Sequence, residues 1–174
     1  KAPEAAYTIT VPKGHILMLP EEKAQALFGD IFADKKPDET ATISQKDFKL
    51  VNEDHYEKVK KARYEMEYNE RFIQNEQEMI DSIKQGLEVA EPEKVERLED
   101  SIRQRQEKIA EWQAENSEYR IDIDAFVKKY GFAPKSIRSG SEPIGPDHRI
   151  VHSDERKKLS QRFNIKFDVQ ESKM

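Results

Sequence analysis

Between residues 95 and 130, hydrophobic residues recur at alternating spacings of three and four. The series runs without a slip from Val95 to Tyr130, and Arg105 and Asn116 are its polar members. This spacing places one apolar stripe along an α-helix and is typical of a coiled-coil seam. The pattern therefore predicts a long helix, which Gly131 ends as a left-handed residue after the last turn.

A second heptad series precedes this helix. It starts after Asn52, which has the properties of an N-cap, and it places polar residues at Asn69 and Glu76. Its apolar positions recur every seven residues, at Val59, Met66, Ile73, Ile80 and Leu87. These features predict another long helix with a less regular seam.

The two helices are joined by a junction of a few residues. Gly86 and Pro92 bracket it, because glycine ends helices and proline is accepted in a first helical turn. So short a connection favours an antiparallel hairpin, and a rise of about 1.5 Å per residue makes each helix about 50 to 60 Å long. The predicted hairpin seam consists of Val59, Met66, Ile73, Ile80, Leu87, Val95, Leu98, Ile102, Ile109, Trp112, Tyr119, Ile123 and Phe126.

Polar seam positions suggest one specific contact. With the turn near residue 89, Glu76 and Arg105 lie about 13 and 16 residues from it on opposite helices. We therefore expect a buried or half-buried ion pair between them.

The N-terminal part predicts a small α+β element. Residues 7–11 alternate in the period-2 manner of a strand, residues 15–19 read as a second strand, and residues 12–14 suit a hairpin loop. A short helix follows from Pro20 and is expected to end near Phe32, with apolar residues at helical spacing. Residues 34–51, rich in charge and turn formers, are interpreted as a linker.

The C-terminal part is rich in proline and glycine, which predicts an extended arm over residues 131–174. Within it, a short basic helix begins at Ser153, and residues 165–169 alternate like a strand that needs a sheet edge. The residues expected to contact a partner are Arg156, Lys157, Lys158, Arg162, Phe163, Ile165, Phe167 and Val169.

The predicted fold is thus mainly α, a long antiparallel two-helix coiled-coil hairpin with a small α+β N-terminal element and an extended C-terminal arm. The element occupies residues 1–33, the linker 34–51, the hairpin 52–130 with its turn near 86–92, and the arm 131–174. A chain with 36% hydrophobic and 37% charged residues suits such a solvated, elongated form.

Charge distribution bears on the kind of partner. The hairpin contains 14 basic and 21 acidic side chains, a net −7, whereas residues 131–174 contain 9 and 6, a net +3. An acidic hairpin disfavours nucleic acid and favours protein partners, including a second copy of the chain. The basic tail keeps open the alternative of an accessory protein that contacts nucleic acid.

Candidate chemistry is sparse. Cysteine is absent, which excludes disulfides and thiolate sites, and the longest apolar run is far too short to cross a bilayer. His148 and His152 have the spacing of metal ligands on a helix, but their neighbours predict a loop or strand. Met66 and Trp112 could line a cofactor slot, although heptad packing explains them. We expect no cofactor, no metal and no enzymatic activity.

These features favour a soluble structural or interaction subunit, a connector or staple of a larger multiprotein assembly such as a virus particle or another many-subunit machine, intracellular or within the particle. A freestanding regulator or inhibitor that clamps one protein target is the first alternative, because a hairpin can also grip a single partner.

Overall fold

The computed structural model describes residues 7–136 and 143–170. Its mainly α architecture confirms the predicted fold class, since two long helices pack against each other beside small strands. Helix α2 spans Glu53–Leu87 and helix α3 spans Pro92–Tyr130, and together they form the hairpin. None of the helices in the described part of the chain is long and apolar enough to cross a membrane.

The ends of the hairpin helices follow the sequence signals. Asn52 caps α2, because its Oδ1 accepts a hydrogen bond from the backbone N–H of His55 at 2.9 Å. Pro92 opens α3, and Gly131 closes it in the left-handed conformation at φ 83°. Local chemistry therefore fixes both the length and the turn of the hairpin.

The remaining elements form a base from which the hairpin extends. Their bounds are β1 Tyr7–Val11, β2 His15–Pro20, α1 Glu21–Phe28, a 3-10 turn at Gln45–Asp47, β3 Lys49–Asn52, β4 His148–Ile150, α4 Ser153–Arg162 and β5 Ile165–Val169. One sheet has the antiparallel order β3-β2-β4, and a second pairs β1 with β5 in parallel. We call this part, residues 7–52 and 143–170, the base.

Strand β2 lies at the centre of the base and is buried on both faces. Leu17 and Leu19 point into one core, formed with α1, α4 and β5. Met18 points the opposite way, into a core shared with the start of α2 and the end of α3. The apolar run at residues 16–19 is therefore a strand that joins the base to the hairpin.

The predicted hairpin between the first two strands is wrong, although both strands exist. Tyr7 pairs with Ile165 and Val11 with Val169, whereas β2 pairs with β3 and β4. Because β2 needs neighbours on both edges and cover on both faces, it takes the central position, and β1 pairs with the last strand instead.

Helix α1 is shorter than predicted. It ends at Phe28, because Gly29 adopts φ +79° and a Cβ there would lie 2.7 Å from the carbonyl oxygen of Lys35. Ile31, which the helical spacing placed on the apolar face, is therefore 94% exposed.

The linker and the extended arm also need correction. Residues 49–51, assigned to the linker, belong to β3, and Arg162 fastens the preceding segment by donating to the carbonyls of Asp38 at 2.8 Å and Ala41 at 3.2 Å. Described parts of the predicted arm fold back: Phe132 is buried against the hairpin, and residues 143–170 complete the base. Residues 137–142 and 171–174 of that arm lie outside the described residues.

Candidate functional site

The predicted seam residues are all buried or half-buried. Burial is complete where the hairpin meets the base, at Val59 and Phe126, which are 0% exposed. Towards the turn Leu87 and Val95 are half-buried, as expected where two helices pack without further cover. The seam therefore anchors the hairpin at the base and leaves its far end open to solvent.

The predicted ion pair of the seam is present. The Nη1 of Arg105 lies 2.7 Å from Oε2 of Glu76, and the two side chains are 32% and 26% exposed. The Nε of Arg105 is buried without a hydrogen-bond partner among the described residues. The contact thus confirms the antiparallel register inferred from the turn position.

A second polar pair lies closer to the base. Asn69 is 6% exposed, and its Nδ2 donates to Oδ1 of Asn116 at 2.9 Å. Sequence reasoning placed both residues at the seam without pairing them. A buried amide pair of this kind fixes register, because any slip leaves both groups unsatisfied.

A projecting loop of the base exposes two large apolar side chains. This apolar loop, residues 30–35, presents Ile31 at 94% and Phe32 at 102% relative exposure. Asp30 and Lys35 close it with two backbone hydrogen bonds of 2.8 Å, N–H to carbonyl in each direction. Two neighbouring side chains so fully exposed are unusual among the described residues.

Local hydrogen bonds hold the apolar loop in one conformation. The Oδ1 of Asp30 accepts from the backbone N–H of Phe32 at 3.0 Å and of Ala33 at 3.4 Å. Asp34, at φ +52°, adopts the left-handed conformation that aspartate tolerates, and its N–H donates to the carbonyl of Ile31. The exposure of Ile31 and Phe32 is thus a built feature of the turn.

The residues predicted to contact a partner divide into two groups. Phe163 and Ile165 are 8% and 5% exposed and belong to the core of the base, with the partly buried Phe167 and Val169 packed beside them. These side chains are thus engaged within the chain, and their contact with a partner stays a prediction. Their strand finds its sheet edge within the chain, on β1.

The basic members of that prediction also divide. Arg156 donates to the carbonyl of Val151 at 3.2 Å, and Arg162 is held by the carbonyls described above. Lys157 and Lys158 are exposed. Two basic residues of α4 thus form hydrogen bonds within the base, and the other two face solvent.

A groove of about 670 Å³ lies where the start of α2 meets β4 and α4. Its charged lining consists of Lys60, Lys135, Arg149 and Glu155, and its rings belong to Tyr56, His148 and His152. Arg149 pairs with Glu155, and the Nζ of Lys135 lies 2.9 Å from Oδ2 of Asp147. Sequence reasoning missed this groove, because its residues come from distant segments.

His148 is a tightly held residue of the groove lining. Its ring stacks on Phe132 at a centroid distance of 4.0 Å, and its Nδ1–H donates to the carbonyl of Pro146 at 2.7 Å. Burial lowers the pKa of His148 below the usual 6.5, and the nearby charge of Lys49 lowers it further. Burial also raises the pKa of Tyr56. The imidazole of His148 is therefore neutral at physiological pH.

Two residue pairs are the sequence candidates for a metal or a cofactor, His148 with His152 and Met66 with Trp112. His148 and His152 both line the groove, but the described residues contain no cluster of three His, Asp or Glu that could hold a metal ion. Met66 is 8% exposed in the core shared by base and hairpin, and Trp112 contacts the ring of Phe72 at 5.3 Å.

Comparison of the chain with protein-family models, with curated proteins and with solved structures finds no significant match.

Proposed function

We propose that the protein is a non-enzymatic structural or interaction subunit, which binds another protein through the apolar loop and uses the hairpin as a spacer. The observation that carries this proposal is the full exposure of Ile31 and Phe32 on a turn held by its own hydrogen bonds. Exposed apolar side chains that are ordered in advance lose little entropy on binding.

The energy available at this loop is sufficient for a contact that dominates an interface. Burying one isoleucine or phenylalanine side chain contributes about 1.5 to 3 kcal/mol, so Ile31 and Phe32 together contribute about 3 to 6 kcal/mol. Side chains worth about 2 kcal/mol or more are the hot spots of protein interfaces. A complementary apolar pocket on a partner protein is the surface that gains this energy.

The charges around the loop favour a protein over a membrane. Residues 30–39 contain four acidic and two basic side chains, namely Asp30, Asp34, Asp38, Glu39, Lys35 and Lys36. An excess of acid is repelled by the anionic lipids of a cytoplasmic leaflet. A pocket on a protein does not have to be anionic, because the residues at its rim can complement both the acidic and the basic side chains around the loop.

The hairpin supports the spacer part of the proposal. Each helix is about 50 to 60 Å long, and the two polar seam pairs fix one register along that length. A rigid projection of this size separates the base from whatever contacts the turn at Val89, which is 85% exposed. The molecule thus has two remote ends for contact.

The test is to isolate tagged protein from its native source at low salt and to quantify the proteins recovered with it. We expect other proteins to be recovered in stoichiometric amounts with the wild-type chain. The double variant Ile31→Ser, Phe32→Ser should bind at least one of these proteins a hundredfold or more weakly, so that it is no longer recovered. Such a loss corresponds to about 2.7 kcal/mol, within the burial energy above.

Ile121→Ser is the matched control, since Ile121 is 68% exposed but lies on α3, away from the loop. Circular dichroism of each variant checks that the fold is retained. Recovery of the chain as a monomer without companions, or equal recovery with the loop variant, would contradict the proposal.

A further inference from the structure

We infer that the groove between α2 and the base is a binding site for an anionic group, a carboxylate or a phosphate. This site is separate from the apolar loop and does not depend on the function proposed above. Its charged lining is the feature that identifies the ligand class.

Three cationic side chains from three separate segments converge on the groove. Lys60 comes from α2, Lys135 from the segment that follows α3, and Arg149 from β4. Glu155 is the acidic residue of the described lining. Elements distant in sequence thus bring an excess of positive charge to one concave surface, in a chain whose net charge is −5.

The ion pairs around the groove leave one cation available. Arg149 is paired with Glu155, and Lys135 with Asp147. Among the described residues no carboxylate lies within 4.0 Å of the Nζ of Lys60, although this side chain is half-buried. A bound anion would supply the missing partner of Lys60 and share the guanidinium of Arg149, which offers further donors.

The size and walls of the groove suit a small ligand or a short acidic segment. Its volume of about 670 Å³ lies within the range of about 300 to 1,000 Å³ typical of ligand sites. Tyr56 and Ile150 give it partly apolar walls, which lower the local dielectric constant and strengthen attraction between a cation and a bound anion.

His148, although it lines the groove, does not supply the attraction for an anion. Its pKa is lowered by burial and by Lys49, so the ring is neutral near pH 7. The site therefore depends on the lysine and the arginine.

The experiment titrates the full chain, at about 50 mM NaCl and pH 7.5, with inorganic pyrophosphate and separately with a tetraglutamate peptide. Calorimetry gives the affinity of each probe. The imidazole NMR signals of His148 and His152 report contact of the probe with the groove, and His15 is an internal reference outside the groove. We expect saturable binding of at least one probe, with shifts confined to the two groove histidines.

Lys60→Gln should weaken this binding about tenfold, equivalent to about 1.4 kcal/mol. Lys61→Gln is the matched control, because Lys61 is the next residue of α2, is exposed and does not line the groove. It should leave the affinity unchanged within about twofold, and thermal unfolding checks that both variants fold.

Binding of pyrophosphate with the expected variant pattern identifies a phosphate site, and binding of the peptide alone identifies a site for acidic protein segments. Equal weakening by Lys60→Gln and Lys61→Gln would overturn the inference, since it indicates unspecific charge attraction. Absence of saturable binding of either probe at millimolar concentration would overturn it as well.

Discussion

The ion pair between Glu76 and Arg105 offers the sharpest test of how the hairpin is held together. We consider the variants Glu76→Ala and Arg105→Ala, alone and combined. Each single change leaves one charged group in the seam without its partner at 2.7 Å. The double change removes both charges, so the free energies of unfolding of the wild type and the three variants isolate the coupling between the two side chains.

The expected magnitude follows from the partial burial of the pair. Exposed ion pairs contribute about 0.2 to 1 kcal/mol, whereas breaking a fully buried pair costs about 3 to 5 kcal/mol. With exposures of 26% and 32%, Glu76 and Arg105 lie between these limits. We expect about 2 kcal/mol for each single variant, about 3 kcal/mol for the double variant, and hence a coupling of about 1 kcal/mol.

Urea unfolding followed by tryptophan fluorescence is the suitable assay. The chain contains one tryptophan, Trp112, which lies in the hairpin seam. The matched control is Asp100 with Arg103, a pair one turn apart on α3 whose side chains are 51% and 61% exposed. Its coupling should not exceed about 0.5 kcal/mol.

Additive effects of the two substitutions would refute this reasoning, and so would a coupling no larger than that of the control pair. A further variant separates stability from specificity. Replacing both Glu76 and Arg105 with leucine should leave the protein as stable or more stable, because well-packed apolar residues often replace ion pairs without loss. Light scattering would show whether this variant also self-associates, as expected if the pair helps to select the intramolecular hairpin.

Three other variants test Gly145, the last turn of α2, and His148. Gly145→Ala should destabilise the protein by about 1 to 3 kcal/mol, because Gly145 has φ +74° and an added Cβ would lie 2.3 Å from the carbonyl oxygen of Gly131. Gly86→Ala, in the last turn of α2, should stabilise the protein by about 0.5 to 1 kcal/mol, since nothing lies within 4 Å of an added Cβ. Chemical denaturation measures both free energies of unfolding, and changes of the same sign would contradict the prediction. The lowered pKa of His148 means that this side chain binds a proton more readily in the unfolded chain than in the folded one. The stability that the neutral His148 contributes to the folded protein is therefore complete above about pH 6.5 and is lost as the pH falls through its pKa in the folded protein. His148→Phe, which can keep the stacking on Phe132, should flatten the fall in urea midpoint between pH 7 and 5, and an unchanged pH dependence would contradict this assignment.

The hairpin could be predicted because its determinants are local or follow from one turn. Heptad spacing gives each helix its buried face, and Asn52, Pro92 and Gly131 mark helix ends by their own chemistry. Once the turn is placed, the antiparallel geometry determines that Glu76 approaches Arg105. The pairing of Asn69 with Asn116 follows from the same geometry.

The base was less predictable, because alternation identifies a strand but not its partner. Nothing local in residues 7–11 indicates that they pair with residues 165–169. Ile31 continues the apolar face of α1 in sequence, and only Gly29, at φ +79° and close to the carbonyl of Lys35, turns it outwards. The groove unites Lys60, Lys135 and Arg149 through the tertiary fold alone.

The parallel pairing of β1 with β5 has a mechanical consequence. Tyr7 lies beside Ile165 at one end of this two-stranded sheet, and Val11 beside Val169 at the other. A pull on the chain before β1 and after β5 therefore acts at opposite ends of the sheet and shears it, so that its hydrogen bonds share the load instead of opening one by one. The tension crosses from strand to strand and bypasses α2 and α3. The hairpin would remain unstretched under such a load for as long as β1 and β5 hold.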